Sequence, residues 1–340
     1  RPESMPIPEV PGLLTADDLC LSGQTIADLQ LASGMIEWFP GGHADPWNHV
    51  ETAMALTTVG LVSEAERAYQ WLIDVQLPNG GWHNYYLANG IEDSKIDTNC
   101  VAYFATGVWH HYLATNDRGF LEHCWPTLRR AMDFVLTLQR PGGEVIWAQR
   151  ADGDPWSYAL LTGSSSISHS LRCAVDVGHT LGHDVVGWSQ ARERLVDAVA
   201  GRPEAFEPKD RWAMDWYYPV LTGAITGDDA HKRLSGHWDT FVLEGKGVRC
   251  VSDRPWVTAA ETCECVMAYL ATGQREPALH LFEWAQALRD DDGSYFTGIV
   301  FPENVHFPAD ERSAYTAAAI ILAADALEGA NPTSRLFIEH

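Results

Sequence analysis

The sequence is poor in positive charge. It has 23 Lys and Arg against 46 Asp and Glu, which gives a formal net charge of −23. A chain with this balance repels the phosphates of nucleic acids and of anionic membranes, and it repels a diphosphate substrate unless metal ions intervene. We therefore expect neither a nucleic-acid partner nor a membrane partner, and the charge favours a neutral substrate.

Long apolar runs and a cysteine framework are also missing. No stretch approaches the roughly 18 apolar residues that a membrane span needs, and residues 1–10 show no signal-peptide core. The seven cysteines are odd in number and lack the spacing of a disulfide scaffold, which is typical of a reduced cytosolic protein. These absences predict a cytoplasmic location. The oligomeric state stays open.

The chain does contain 14 Trp and a loose sixfold repeat. In each repeat a polar, aromatic loop leads into a helix rich in small residues, and amphipathic helices lie between the repeats. The repeats occupy residues 37–56, 80–109, 143–175, 211–227, 248–271 and 293–323, and the amphipathic helices include 64–75, 117–138 and 277–288. This organisation predicts an all-α fold, an (α/α)6 barrel formed by residues 1–340 as a single domain, whose inner helices start at one mouth.

A Gln, a Gly pair and a Trp end the stretch 65–82, and a weaker copy with Gln139 lies at 129–147. This motif is typical of α/α-toroid terpene cyclases and prenyltransferases, so an isoprenoid enzyme is one alternative. The DxDD acid cluster of such cyclases is missing, and residues 97–100 match a prenyltransferase zinc site poorly. We interpret the motif as architectural: Gln caps a helix, Gly permits a positive φ and the aromatic ring packs back on the barrel.

Two loop carboxyl groups stand out as a possible catalytic pair, because glycoside hydrolysis needs an acid and a second carboxylate across the scissile bond. Asp45 lies between His43 and Trp47 at the start of a small-residue helix, where it could equally be an N-cap. Glu261 follows Trp256 in the first turns of another such helix. Burial there would raise its pKa, which favours Glu261 over Asp45 as the acid; the alternative is a structural ion pair of Glu261 with Arg254 or Arg249.

Further polar and aromatic residues of the loops are candidates for substrate binding, since aromatic rings stack on sugars and polar groups bond to hydroxyls. The candidates are His43, Trp47, Trp82, Asp97, Asp154, Trp156, Asp215, Trp216, Tyr217, Trp256 and Tyr295. No HExxH motif or paired metal-ligand spacing stands out, so we expect no metal and no other cofactor.

Residues 96–139 and 145–150 resemble hairpins of glucoamylase-like glycosidases, although Ala148 stands where those enzymes place their acid. Most of residues 35–328 resembles a closer family of bacterial (α/α)6 glycosidases, often labelled prenyltransferases, which includes hydrolases of methylmannose polysaccharides. The stretches 213–227, 248–264, 291–308 and 311–329 carry that resemblance. It implies a cytosolic endo-acting α-(1→4)-mannosidase that cleaves a neutral, partly O-methylated mannan, with inversion by an activated water. A non-catalytic sugar-binding toroid is the remaining alternative.

Overall fold

The computed structural model describes residues 5–340, and α-helices dominate it. In chain order they are α1 Ala16–Ala27, α2 Pro46–Thr58, α3 Val62–Val75, α4 Thr98–Thr115, α5 Arg118–Leu136, α6 Leu161–Leu181, α7 Val186–Gly201, α8 Ala213–Leu221, α9 Gly227–Gly236, α10 Trp238–Phe241, α11 Ala259–Ala271, α12 Arg275–Ala285 and α13 Ala314–Glu328. Short 3-10 turns lie at Pro203–Ala205, Gln286–Leu288 and Pro332–Arg335. No helix in residues 5–340 combines the length and apolarity that a membrane crossing requires.

In the described chain, six of these helices close an inner ring. α2 packs on α4, α4 on α6, α6 on α8, α8 on α11 and α11 on α13, and α13 returns to α2. Outside the ring, α3, α5, α7, α9 and α12 each pack on the inner helix that precedes them, and α1 packs on α13. The predicted (α/α)6 barrel is therefore confirmed, and the six repeats supply its inner helices.

Composition explains which helices lie inside. α13 is rich in Ala, and nearly all of its residues are buried, because small side chains let neighbouring helices approach it on several faces. α3 instead buries a stripe formed by Ala65, Ala68, Tyr69, Trp71 and Leu72 and leaves the rest facing outward. The hydrophobic pattern of each helix thus predicts whether it lies in the inner or the outer ring.

The strands are short and lie in the loops that lead into the inner helices. They are β1 Tyr85–Leu87, β2 Gly90–Asp93, β3 Ile96–Asp97, β4 Ala148–Gln149, β5 Val242–Leu243, β6 Gly247–Val248, β7 Trp256–Thr258, β8 Gly298–Val300 and β9 Val305–His306. All pairs are antiparallel: β1 with β2, β3 with β4, β5 with β6, and β8 with both β7 and β9. Because β3 runs directly into α4 and β7 into α11, this pairing ties the loops together at the mouth.

The Gln and Gly of the repeated motif form a clasp between consecutive outer helices. At the end of α3, Gln76 Nε2 donates hydrogen bonds to the carbonyls of Gly80 (2.9 Å) and of Thr127 on α5 (3.0 Å). Arg130 of α5 donates to Gln76 Oε1 at 2.6 Å. Gly80 has a φ of +96°, and a Cβ on it would lie 2.2 Å from the Arg130 carbonyl oxygen. Only glycine fits this turn.

Other hairpins carry the same clasp. Gln30 joins α1 to α3 through the carbonyls of Gly34 (3.1 Å) and Glu64 (2.9 Å), and Gln139 joins α5 to α7 through the carbonyls of Gly143 and Ala191, both at 2.9 Å. Arg67 and Arg194 close these two clasps by donating to the glutamine oxygens. Where the motif lacks its Gln, Arg289 takes over and reaches the Asp18 carbonyl of α1 at 2.9 Å. The motif is therefore a fastening between hairpins.

We predict that Gln76→Ala lowers the free energy of unfolding by about 2 kcal/mol, because it removes hydrogen bonds to two partly buried carbonyls and leaves Arg130 without its acceptor. Urea denaturation followed by circular dichroism measures the change. Gln24→Ala is the matched control: Gln24 is exposed and bonds only to Asp28 on its own helix, so a change within about 0.5 kcal/mol is expected. Equal stability of the two variants would contradict the clasp.

Candidate active site

At the mouth, the inner helices enclose a cavity of about 250 Å³, which we call the central cavity. Aromatic rings and carboxyl groups dominate its wall, with small and polar residues between them. Its lining residues are Trp38, Trp47, Asn48, Glu51, Asn99, Thr162, Met214, Tyr218, Trp256, Thr258, Ala260, Glu261, Glu264, Thr297, Tyr315 and Ala319. Such a combination suits a ligand with apolar faces and many hydroxyl groups.

Glu261 lies at the mouth level of this cavity, in the first turn of α11, and its side chain is partly exposed. Thr258, the residue that caps the helix, donates its hydroxyl to the Glu261 carboxylate. Among the described residues neither Arg249 nor Arg254 forms an ion pair with Glu261, and the Arg249 guanidinium donates instead to the Ser252 carbonyl. The carboxylate is therefore open to a ligand.

Asp45 is the N-cap of α2, one of the two roles that the sequence left open. Its Oδ2 accepts from the Asn48 backbone N–H (3.0 Å), and its Oδ1 accepts from the Asn48 side chain (2.8 Å) and from the Trp38 indole (2.9 Å). Burial raises the pKa of Asp45, and these hydrogen bonds oppose the rise. Asp45 does not line the central cavity itself, but both of its partners do, so it lies directly behind the wall.

Tyr315 links the two carboxyl groups. It lies near the start of α13, which packs between α11 and α2, and it lines the central cavity. Burial is the main reason for the raised pKa of its phenol, and the negative charges of Glu261 and Asp45 add to the rise. The Trp38 ring, which holds Asp45, packs edge-on against Tyr315 at 4.9 Å between centroids. Asp45 and Glu261 therefore flank the same tyrosine at the mouth.

Two further carboxyl groups, which the sequence analysis did not select, form the floor of the cavity. Glu51 accepts a hydrogen bond from Tyr103 at 2.5 Å, and Glu264 accepts from Tyr217 at 2.7 Å and from Tyr218 at 2.6 Å. Burial raises the pKa of Glu51 to about 7 and that of Glu264 to about 8, and the tyrosine hydrogen bonds oppose both shifts. At neutral pH Glu264 is therefore mostly protonated, and Glu51 is about half protonated.

A helical spacing signal for these two residues is present in the sequence. Glu264 lies three residues after Glu261, and Glu51 lies four residues after Trp47, so each shares a helix face with a residue that was selected. The selection favoured the acids nearest to the loop tryptophans, Asp45 and Glu261, whereas Glu51 and Glu264 lie further into the same two helices.

The predicted aromatic residues Trp47 and Trp256 both line the central cavity, Trp47 from α2 and Trp256 from the strand that leads into α11. Trp47 stacks on Tyr103 with 4.2 Å between ring centroids. The Trp256 indole donates to the Phe307 carbonyl at 3.1 Å, and its ring packs edge-on against the Phe307 ring. Both tryptophans are held by neighbours before any ligand arrives, as a stacking platform requires.

Trp82 and Tyr295 correct the sequence-based prediction, since both are core residues and neither lines the central cavity. Trp82 is 1% exposed and its indole donates to the Leu72 carbonyl of α3 at 2.8 Å, as part of the clasp region. Tyr295 has no exposed surface, and its hydroxyl bonds to Gln286. Tyr217 is equally buried and acts behind the wall, where it holds Glu264.

The remaining candidates lie around the cavity. His43 bonds to Glu92 at 2.8 Å and stacks on Tyr85, and Asp97 is the N-cap of α4. Asp154 is exposed and pairs with Arg150, which lies over the Trp156 ring at 4.0 Å. Asp215 accepts from the cavity residue Thr162 at 2.8 Å, and Trp216 is buried, its indole donating to the Arg233 carbonyl.

No group of three or more His, Cys, Asp or Glu side chains in residues 5–340 is arranged to hold a metal ion. What the cavity does offer is acid, base and aromatic chemistry. This matches the needs of acid–base hydrolysis of a glycosidic bond.

Comparisons with known proteins agree with this chemistry. The chain is 48% identical over 331 residues to the MMP endo-(1,4)-3-O-methyl-alpha-D-mannosidase of Mycolicibacterium hassiacum, covering 97% of this chain and 92% of that protein. An uncharacterized glycosyl hydrolase of Methanocaldococcus jannaschii is 26% identical over 84 residues, 24% of this chain and 14% of that protein. No protein-family model matches the chain.

Solved structures show the same toroid. A glycosidase in complex with glucose aligns with a TM-score of 0.72 at 16% identity, covering 94% of this chain and 99% of its own. A D-mannose isomerase aligns with a TM-score of 0.67 at 10% identity, covering 91% of this chain and 96% of its own. Because hydrolases and isomerases share the toroid, these structures show the fold alone.

The choice between a glycosidase, an isoprenoid enzyme and a non-catalytic toroid therefore rests on the relative that matches nearly the whole chain. By that similarity the chain is a glycoside hydrolase and belongs to the family of the endo-(1,4)-3-O-methyl-alpha-D-mannosidases.

Proposed function

We propose that this enzyme cleaves internal α-(1→4) linkages of a 3-O-methylated mannan. The observation that carries the proposal is the convergence of carboxyl groups and tryptophan rings on one cavity at the mouth of the barrel. The name of the Mycolicibacterium hassiacum relative supplies the glycan and the internal mode of cleavage. Such a polymer is neutral, so the net charge of −23 does not repel it.

The cavity has three indole surfaces, from Trp38, Trp47 and Trp256. They suit both the sugar rings and the O-methyl groups of the substrate. Sugar rings stack on aromatic faces through their C–H groups, and an O-methyl group adds a small apolar patch that an unmethylated sugar lacks. The partly exposed Asn48 and Asn99 supply amide groups for the remaining hydroxyls. The cavity thus suits a sugar that is more apolar than mannose itself.

The catalytic pair that we propose is Asp45 and Glu261. A polymer cleaved at an internal bond must lie across the mouth with chain on both sides, and it cannot thread its middle down to the floor. Asp45 and Glu261 lie at that level on either side of Tyr315, whereas Glu51 and Glu264 lie on the floor. Position therefore favours the mouth pair for the chemistry.

Burial assigns the roles. Burial raises the pKa of Asp45 above the ordinary value of an aspartate, which is the direction that a proton donor requires. Glu261 is the more exposed of the two and has access to water. Asp45 lies behind Trp38 and Asn48, so these two side chains must give way for it to protonate the leaving glycosidic oxygen. Glu261 takes a proton from the water that attacks the anomeric carbon. This reverses the roles that the sequence favoured, and it gives inversion at that carbon.

Glu51 and Glu264 hold the sugar in this scheme. Protonated carboxyl groups both donate and accept hydrogen bonds, so the floor can bond to hydroxyls without placing a charge beside the reacting carbon. Glu51 Oε2 accepts a hydrogen bond from Tyr103, and the carboxyl group of Glu51 makes no other hydrogen bond with the described residues. Its second oxygen is thus available to a ligand.

The free cysteines support a cytoplasmic location. All seven are free thiols, and five of them are buried, with no disulfide in residues 5–340. A reducing compartment suits this arrangement.

We predict that Asp45→Asn and Glu261→Gln each lower kcat for cleavage of 3-O-methylated α-(1→4)-mannan by about 10²–10⁴-fold, because each removes one half of the acid–base pair. Mass spectrometry of the products measures the rate, and proton NMR of the first product shows the β-anomer if the reaction inverts. Glu51→Gln is the matched control: it removes a floor carboxyl, so it raises KM more than it lowers kcat.

The opposite result would assign the proton donor to Glu51. If Glu51→Gln abolishes turnover while Asp45→Asn retains it, Glu51 is the proton donor and Asp45 is only a helix cap. Thermal unfolding of each variant separates loss of catalysis from misfolding. Asp45→Asn should keep its melting temperature, because Asn also caps helices well.

The pH profile gives a second, independent assignment of the proton donor. Activity falls on the alkaline side as the donor loses its proton. Trp38→Phe removes a hydrogen bond that favours ionised Asp45, so the pKa of Asp45 rises and the alkaline limb of kcat/KM moves to higher pH. The limb is located by initial rates across the pH range.

Tyr103→Phe is the companion variant, because it removes the corresponding hydrogen bond from Glu51 and raises that pKa instead. If Asp45 is the donor, this variant leaves the alkaline limb in place. If the alkaline limb of kcat/KM shifts in Tyr103→Phe and stays in place in Trp38→Phe, the assignment of Asp45 as the donor is wrong.

A further inference from the structure

A second, larger depression of about 1230 Å³ adjoins the central cavity, and we call it the side groove. It opens beside the mouth ends of α6 and α8, and the segment 203–211 forms one bank. Its lining residues are Arg140, Tyr158, Leu161, Pro203, Glu204, Ala205, Phe206, Glu207, Pro208, Lys209, Asp210, Arg211, Asp215, Trp216, Arg233, His237, Thr240, Phe241 and Ser252. None of the catalytic roles above uses this groove.

One hydrogen bond marks the place where the two spaces meet. Thr162 lines the central cavity, Asp215 lines the side groove, and the Thr162 hydroxyl donates to the Asp215 carboxylate at 2.8 Å. The residues next to them in the sequence also lie at this boundary, since Leu161 lines the groove and Met214 lines the cavity. A chain that leaves the central cavity across the starts of α6 and α8 enters the side groove directly.

Size supports the same relation. Pockets for drug-sized ligands hold about 300–1,000 Å³. The central cavity, at about 250 Å³, falls below that range, whereas the side groove, at about 1230 Å³, exceeds it. The central cavity is thus too small for several sugar units, and an enzyme that cleaves within a polymer needs room for more.

Charge separates the side groove from the rest of the surface. Its lining contains four cations and four acids, while the whole chain has a formal net charge of −23. The cations are Arg140, Lys209, Arg211 and Arg233, and the acids are Glu204, Glu207, Asp210 and Asp215. A groove with balanced charge and many hydrogen-bonding groups suits a neutral polyhydroxylated chain better than a polyanion or a polycation.

We propose that the side groove binds the mannan chain beyond the cleaved bond and so allows cleavage inside the polymer. This inference rests on the proposed function. Tyr158 offers an aromatic ring on one bank, and Lys209 offers an ammonium group that makes no hydrogen bond or ion pair with the described residues. Contacts of this kind act on a long substrate and are unused by a short one.

The test compares the methylated polysaccharide with a short α-(1→4)-mannooligosaccharide that fills the central cavity alone. Ala205→Trp fills the groove, and Lys209→Ala removes a donor from it. We expect the ratio of kcat/KM for the polysaccharide to kcat/KM for the oligosaccharide to fall about tenfold in Ala205→Trp and by a smaller factor in Lys209→Ala.

The matched controls lie outside the groove. Ala200→Trp adds the same bulk to an exposed position on α7, and Lys232→Ala removes an exposed lysine from α9, so both keep the parent ratio. An unchanged ratio in Ala205→Trp, with folding intact by circular dichroism, overturns the groove and leaves the glycosidase standing. Failure of the parent enzyme to cleave either substrate overturns the proposed function, and the groove with it.

Discussion

The barrel depends on how one helical hairpin is fastened to the next. Each glutamine clasp crosses from the end of one outer helix to a carbonyl on the following one, and the clasps of Gln30, Gln76 and Gln139 join α1, α3, α5 and α7. Arg289 extends the seam from α12 to α1. A side-chain amide that satisfies two backbone carbonyls at once fixes both distance and angle between hairpins. The loops at the mouth are positioned by these hairpins, so their arrangement depends on the same hydrogen bonds.

Burial then decides the electrostatics of the site. The chain is strongly acidic, yet the two floor carboxyl groups of the central cavity are only partly ionised near neutral pH, because burial raises the pKa of Glu51 and of Glu264. Tyrosine hydroxyls satisfy these buried acids, so they need no arginine or lysine. A cavity of this kind can hold several carboxyl groups close together, because burial and the neighbouring acids favour the protonated form of Glu264 and so limit their mutual repulsion.

The sequence predicted the ring because its signals are local and repeated: small residues on inner helices, amphipathic outer helices and a Gln–Gly pair at the hairpin ends. The site was less predictable, because facing the cavity depends on the closure of the whole ring. Trp82 has the composition of a sugar platform but lies in the core, where its indole satisfies a helix carbonyl. Glu264, in contrast, could have been predicted from the sequence, since it shares a helix face with Glu261. Patterns within one helix are readable, whereas contacts between hairpins are not.

Asp45 and Asp97 show the difference. Each caps an inner helix and accepts a hydrogen bond from a tryptophan indole, Trp38 for Asp45 and Trp147 for Asp97, at 2.9 Å in both cases. The repeat thus makes the same local structure twice. Only the surroundings separate them: Trp38 lines the central cavity, whereas Trp147 does not. A capping bond that the helix needs for stability also holds the carboxyl group still, and it stabilises the charge that remains after a proton has left. The fold therefore prepares both aspartates alike, and the position of the cavity favours Asp45 for the reaction.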